Sequence, residues 1–557
     1  MPHVRRRMLV RLDAPTATVE TAARRALGFT GADGDPLVAP LTVGAGAGNL
    51  TISLVPDGTG TMLTAEAETD FALPFFGWAI NPLIAIALKR QLRHAIATVE
   101  AVIAGREPPP PPKGLAALPN VDFEPAQAAL LSATAAATAI AGFGGGLFGQ
   151  NSSFIADAFH ASDARLSGAL AVSRAGVLVS LVATALSDRV GRRRMILICV
   201  IGVCVTNLAS AFAPSLATLT ALQIMTRAFV NSTFTVAAIA AVEEAPEGAR
   251  AFSTAMLGLA GGFGFSFAVL TLPIADEGRQ AWRVSFALSA VVLLIIPRLA
   301  RELTETRRYH ALASTRIIRG QLREVLGPTY GRRFLFLALI AFLTNVFSAP
   351  SSQLSNRYLQ DVRHFSGSGI VGLLAATTVV PGIVGVVIAS RLAERGRRRP
   401  LASISLFVAT SAQMVFFLFG GPILWIASAG ATITGACAGI VLATLGAELF
   451  ATEVRGTANA FLVAISVVGS SGGLLIAGQL SDRFGGIGRS IAVCGIASLI
   501  AALLVPALPE SFGRQLDDLS PSSDEPDGPS PPDPRETEAT DDAGDTDPTA
   551  WERDGDG

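Results

Sequence analysis

Charge is scarce in this chain. Asp, Glu, Lys and Arg make up 16% of its 557 residues, where soluble domains carry roughly 25%. Half of the residues are apolar and the mean hydropathy is +0.49, a balance that excludes an ordinary soluble enzyme and points to the bilayer. Cysteine is scarce too. Cys199, Cys204, Cys437 and Cys494 all fall inside apolar stretches without metal-ligand spacing, which excludes a disulfide framework and leaves small packing residues. The histidines, His3, His94, His160, His310 and His364, are scattered. No Walker loop, metal cluster or catalytic triad is present, so no enzymatic activity, cofactor, metal or nucleic-acid partner is expected. A secretory leader is also missing. Arg5, Arg6 and Arg7 precede only Met8-Leu-Val before Arg11 and Asp13 interrupt, whereas an h-region needs about 7–15 apolar residues. The first segment is expected to stay in the cytoplasm.

What charge there is lies unevenly. The net charge of -1 cancels basic loops against an acidic tail, residues 521–557, with thirteen Asp or Glu and two Arg. Composition divides the chain into residues 1–107, a proline-rich linker at 108–125, a membrane body, and a tail at 517–557. The tail carries too little apolar surface to bury a core and is expected to be disordered. In the first region Met8–Leu12 and Asn49–Val55 read as strands, Thr16–Leu27 as a helix, Gly58-Thr-Gly60 as a turn and Met62–Phe71 as the partner strand. Ile80, Leu83, Ile84, Ala87, Leu88, Leu92, Ala95, Ile96 and Val99 then recur at helical spacing. Phe71–Leu88 contains Pro74, Asn81 and Pro82, so a helix packed on a sheet is favoured over a membrane span. The order of elements resembles the START-like helix-grip fold. That resemblance implies an apolar ligand held between sheet and helix; a ligand-free structural module is the alternative.

Residues 126–508 divide into twelve apolar segments, each near the roughly 20 residues that cross a ~30 Å hydrocarbon core. The predicted spans are 129–156, 166–187, 195–213, 216–241, 252–275 and 283–300, then 334–356, 368–391, 401–420, 422–446, 458–480 and 489–508. The halves are thus 126–300 and 334–516, joined by a basic loop at 301–333. Arginine sets the orientation: four in 188–194, eight against three acids in 301–333, five in 391–399. Those loops and both termini are expected on the cytoplasmic side of a plasma membrane.

Charges in the loops repeat in register. Asp188 maps to Glu394 and Arg283 to Arg489 at an offset of 206, and Glu243, Arg250 and Glu305 map to Glu448, Arg455 and Glu510 at 205. Apolar composition cannot produce such matches. They indicate a parallel repeat of six spans plus six, with substrate at the interface.

Here the chain resembles the major facilitator superfamily, over about residues 126–519. Leu186-Ser-Asp-Arg-Val-Gly-Arg-Arg-Arg194 is similar to the family's loop signature between spans 2 and 3, with Thr184 where glycine is usual. Glu448-Leu-Phe-Ala-Thr-Glu-Val-Arg-Gly456 is similar to its motif after span 10, and Pro509-Glu-Ser-Phe-Gly-Arg-Gln-Leu516 to the stretch after span 12 in sugar and metabolite porters. The resemblance implies an all-α polytopic fold of twelve helices in two six-helix repeats, here preceded by a small α+β domain. It implies secondary active or facilitative transport of a small organic solute by alternating access. The rival readings are an exporter of an apolar lipid or polyketide handed over by the first domain, and a non-transporting membrane sensor.

A cytoplasmic gate is expected from Asp188, Arg189, Gly191 and Arg192 with Glu243 and Arg250, and from their counterparts Glu394, Arg395, Glu448 and Arg455. Arg193 and Arg194 are read as topology anchors. Ionisable residues within spans mark function. Arg227 falls mid-span and matches the family's span-4 arginine, with Asn231 where glycine is usual; it could bind an anionic group or assist proton transfer. Arg174 is expected nearer the outer face. No Asp or Glu falls mid-span, so proton coupling stays open beside uniport. Gln150 and Asn151 end span 1 as Asn345, Gln353 and Asn356 end span 7, and with Arg227 and Asn231 they are the expected substrate cavity.

Overall fold

The computed structural model describes residues 3–29, 37–43, 46–70, 75, 77–112, 123–246, 249–305, 327, 330–393, 398–450, 452–484 and 486–508. Its N-terminal part is one antiparallel sheet backed by two helices: β1 (His3–Leu12), α1 (Thr16–Leu27), β2 (Leu37–Val43), β3 (Gly46–Asp57), β4 (Gly60–Asp70) and α2 (Gly77–Ile103), with strand order β1-β4-β3-β2. Alternation sets the faces. Val4 and Leu12 of β1 are buried while Arg5, Arg7, Leu9 and Arg11 are exposed. Gly28, in the left-handed region at φ 67°, ends α1 by donating its N–H to the Arg24 carbonyl, the usual glycine stop. Helix α2 packs on β1 and β4, and Leu63, Leu88, Leu92 and Val99 fill the layer between with no exposure. The sequence did not reveal β2. It holds Pro40, which removes a ladder donor, and it is tolerated because β2 is an edge strand.

Among the described residues twelve helices are long and apolar enough to cross a membrane: Pro125–Gln150, Asp163–Ala183, Arg192–Ala211, Leu216–Glu244, Phe252–Ala275 and Trp282–Glu302 (spans 1–6), then Gly331–Gln353, Gly367–Ala389, Arg398–Leu418, Pro422–Leu442, Ala458–Ser481 and Ile487–Ala507 (spans 7–12). All twelve coincide with spans expected from sequence to within a few residues. Local chemistry fixes their starts. Glu124 and Gln127 form a reciprocal capping box with Pro125 in the first turn of span 1, satisfying orphan donors. Ser162, Ser215 and Ser366 accept backbone N–H bonds at the starts of spans 2, 4 and 8.

The halves repeat in their packing as well as in their charges. In the first half, spans 1 and 5 approach backbone to backbone, Gly264 against the Ala139 carbonyl and Gly142 against that of Gly261. In the second half, Gly469 and Gly473 of span 11 meet the Phe342 and Val346 carbonyls of span 7. Small residues let bilayer helices gain contact where lipid offers no hydrophobic drive.

Three apolar clusters describe how the halves meet. The end carrying the 188–194 loop is termed the basic end, the other the far end. At the basic end the first half shares a cluster with the N-terminal domain, while the second half has its own, including Phe334, Ala402, Phe450 and Leu508. At the far end a single cluster takes Phe148, Leu166 and Trp282 from one half and Leu354, Tyr358 and Leu474 from the other. The halves are fused at the far end and have separate cores at the basic end.

Candidate functional site

The far-end seam is polar as well as apolar. Asp163, at the start of span 2, accepts from Arg357 Nε at 2.6 Å and from the Ser481 hydroxyl at 2.6 Å, so one carboxylate ties span 2 to the segments after span 7 and at the end of span 11. The Arg357 guanidinium also lies 3.2 Å from Asp361 and 3.9 Å from Asp157, and Ser153 donates to Asp361 at 2.8 Å. Three carboxylates surround one arginine. Burial pushes the Asp361 carboxyl above its ordinary range, against the pull of Arg357 and Ser153 and with added repulsion from Asp157 and Asp163. Spans 1 and 7 cross beside this cluster. Asn356 Nδ2 donates to the Gln150 side-chain oxygen at 2.5 Å and to its carbonyl at 3.0 Å, and the Ser152 hydroxyl to the Gln353 carbonyl at 3.2 Å. Ser471 of span 11 donates to the Ala171 carbonyl at 3.2 Å, and Gly478 abuts Ser167.

Beneath the seam lies a cavity of about 520 Å³. Most of its lining comes from the second half: Thr344, Ser348, Ser351, Ser352, Ser355 and Asn356 along span 7 and its extension, Thr378 on span 8, Thr410 and Gln413 on span 9, Ser428 and Thr432 on span 10, Ser498 on span 12. The first half contributes Gln150 and Phe265. No charged residue is among the described residues that line it. Span 8 widens into a π-helical turn at Ala375–Val379 beside it, a distortion frequent at functional sites. The surface offers hydroxyl and amide groups, each donor or acceptor as needed, over apolar walls. That suits a small polar solute without imposing a charge on it.

Of the seven expected cavity residues, Gln150 and Asn356 line this space. Gln353 sits in the crossing of spans 1 and 7, its side chain against Gly149. Asn151 and Asn345 turn back on their own helices, donating to the Leu147 and Ala341 carbonyls. Asn231 does the same to the Arg227 carbonyl at 2.8 Å. Arg227 stands in the first half, its Cβ against Gly176 of span 2. Arg174 is nearer the far end of its span than the basic end. Span 2 starts at Asp163, so Arg174 is eleven residues in, at the depth of Arg227, which is eleven residues past Leu216. The hydroxyls of Thr344, Thr378, Thr410, Ser428 and Thr432 were not singled out from sequence; serines and threonines one turn apart on a span were the available signal.

At the basic end the described contacts of the 188–194 loop stay within the first half. Gly191 takes φ 100°, a conformation reserved largely for glycine, and opens span 3 with its N–H groups exposed. Glu305 fills that position: Arg192 and Arg193 backbone N–H groups donate to its Oε1 at 2.7 and 3.3 Å, an anion at a helix N-terminus. The Arg192 side chain donates to Glu243 at 3.0 Å, and the Arg193 side chain to the Ala300 carbonyl at 2.8 Å. Arg193 is therefore more than an anchor. Arg399, 206 residues on, donates to the Pro506 carbonyl at 3.3 Å and to that of Leu508 at 2.7 Å, which repeats the arrangement in the second half. Arg189 and Arg250 are exposed. Glu394 and Arg395 lie outside the described residues, as do the side chains of Asp188, Glu448 and Arg455.

Comparison with known proteins agrees with this architecture. The Major Facilitator Superfamily profile matches residues 134–473. A probable 4-methylmuconolactone transporter of Cupriavidus pinatubonensis is 25% identical over 378 residues, covering 64% of this chain and 86% of that protein. Among solved structures, a bacterial homologue of the human lysosomal transporter Spinster, inward-facing and occupied, superposes with a TM-score of 0.57 at 17% identity, covering 70% of this chain and 98% of that one. The xylose transporter XylE from E. coli, inward open, does so with the same TM-score, identity and coverage. These two show the shared fold.

Proposed function

Since this chain belongs to the major facilitator superfamily and is a multi-pass membrane transporter of a small solute working by alternating access, we propose that its substrate is an oxygen-rich organic molecule bound in the hydroxyl-lined cavity of the second half. The single observation that carries this reading is the cavity itself: about 520 Å³, crowded with serine, threonine and amide side chains, directly beneath the fused far end. The name of the muconolactone transporter relative is compatible with such a solute.

The arginine-rich loops support a cytoplasmic basic end in a plasma-membrane protein. On that assignment this is the inward-open conformer, and Asp163, Arg357, Asp361 and Ser481 form the outer gate. The expected cytoplasmic gate belongs to the opposite conformer. There the basic ends close, and Asp188 and Arg189 meet the second half through Glu394, Arg395, Glu448 and Arg455. In the conformer described, Gly191, Arg192 and Glu243 hold the ends of spans 3, 4 and 6 as one block that can move rigidly. The far-end carboxylates, above all Asp361, are the sites at which a proton could enter the cycle.

The test is uptake into proteoliposomes containing the full chain, with a solute panel and an imposed pH gradient. Thr432→Leu fills the cavity without touching either gate. Uptake should fall at least about tenfold, the effect of losing ~1.4 kcal/mol of binding, while insertion is unchanged. Undiminished uptake by this variant contradicts the assignment of the cavity.

A further inference from the structure

Two arginines in the first half have no role in the seam, the cavity lining or the basic-end network. Arg174 and Arg227 lie on spans 2 and 4, which pack together through Gly176 against the Ile224 carbonyl and the Arg227 Cβ. Each is eleven residues from the far-end start of its span, so at 1.5 Å per residue both sit ~16 Å deep. They are level and on neighbouring helices.

Helical geometry aims both toward the interface. On span 2, Ser167 meets Gly478 and the Ala171 carbonyl accepts from Ser471, both partners on span 11. Arg174 is the next residue on that stripe, one turn beyond, where hydrogen bonds between the halves stop among the described residues. On span 4, Phe234 packs on Gly261 of span 5, and Ile224 and Ala228 pack on Gly176 of span 2. At about 100° per residue, Arg227 falls between those two faces, on the side turned to the interface.

Among the described residues neither side chain meets an acid. Arg174 Nε is fully buried without a hydrogen-bond partner, and no side-chain partner of Arg227 is found among the described residues. Two guanidinium groups at one depth in the middle of a membrane body, with no counter-ion among the described residues, lack the pairing that such charges ordinarily require. Among the described residues nothing supplies the missing charge, which leaves a ligand to bring it. We infer that the transported solute is an organic anion whose carboxylate is held by Arg174 and Arg227, while its uncharged remainder occupies the hydroxyl-lined cavity of the second half. The planar, fixed donors of arginine suit a carboxylate held from two sides. The inference rests on the transport reading above but has its own readout.

That readout is ligand-induced stabilisation of the purified full chain, followed as its thermal unfolding midpoint. The probes are benzoate, muconate, succinate and hexanoate, each against the corresponding amide. At least one carboxylate should raise the midpoint, and its amide should not. Arg174→Gln and Arg227→Gln should each weaken that carboxylate by roughly tenfold or more, and the lysine variants should recover part of the loss. The comparison of acid with amide on the unaltered protein stands even if a variant fails to fold. Equal shifts by acids and amides, or no shift by any carboxylate, overturn the inference. So does a carboxylate shift that survives in phosphatidylcholine vesicles but is erased by added phosphatidylglycerol, which would identify a lipid phosphate as the natural occupant. Carboxylate binding without vesicle uptake would leave the anion site standing and remove the transport reading; uptake of neutral solutes alone would do the reverse.

Discussion

Arg192 shows how much one residue of the basic loop does. Its backbone N–H is held by Glu305 and its side chain by Glu243, with only 9% of the Arg192 side chain and 13% of the Glu243 side chain exposed. A charge-assisted bond in so dry a place is worth about 1.5–3 kcal/mol. Glu243→Gln should lower stability by an amount in that range, read as a lower thermal midpoint in detergent; an unchanged midpoint would show that the pair contributes nothing. Asp361 makes a second prediction at the same scale. In the closed seam its carboxyl is held above the ordinary range by burial, with Asp157 and Asp163 adding to the rise and Arg357 and Ser153 opposing it. When the far end opens, the group returns to water. Its protonated form therefore favours closure: the closed state is helped while Asp361 holds its proton, and that help is lost as pH rises through its raised value. Acidification toward the carboxylate range should shift the population to the far-end-closed conformer, as read by labels across the seam. Asp361→Asn should flatten the dependence. An unaltered pH response in that variant would remove Asp361 from the gate.

At the scale of elements, the glycines of span 5 set the spacing of the first half. A side chain at Gly264 would run into the Ala139 carbonyl, and backbone cannot turn aside as a side chain can. Gly264→Leu should cost about 1–3 kcal/mol or more of overpacking and abolish assembly of a stable bundle, seen as aggregation in size-exclusion chromatography; a monodisperse variant with normal melting would refute the close approach. Such elements were the legible part of the sequence. Twelve long apolar runs have few alternative readings, and Thr16–Leu27 was readable to the residue because its hydrophobic stripe and Gly28 agree. β2 was not, because its Pro40 and its edge position hide the alternation that identifies a strand. The cavity was legible where amides and the serines beside them gave it away, at Gln150, Ser351, Ser352 and Asn356. Hydroxyls in a span satisfy themselves one turn back, as Thr432 does on the Ser428 carbonyl at 2.9 Å, so a single threonine carries no mark of lining rather than packing, and only their spacing in pairs was a signal.

For the whole molecule, the repeat was written in loop charges and is found again in the packing of spans 1 and 5, of spans 7 and 11, and in the matched bonds of Arg193 and Arg399. Which end is closed was not readable. It depends on which carboxylates, amides and glycines face one another across the halves, and those meetings join residues about 200 or more apart, such as Gln150 with Asn356 and Asp163 with Ser481. The central claim is that the two six-helix halves rock about one seam, so that closing one end opens the other. Spin labels at Glu277 and Ser368 span the far end, and labels at Arg194 and Pro400 span the basic end; the four cysteines of the chain are buried, which leaves introduced labels selective. Paired distance measurements in lipid, without and with a transported solute, test the claim most directly. The far-end distance should be short when the basic-end distance is long, and a second population should show the reverse. Two distances that lengthen together, or that stay fixed while solute is transported, would contradict it.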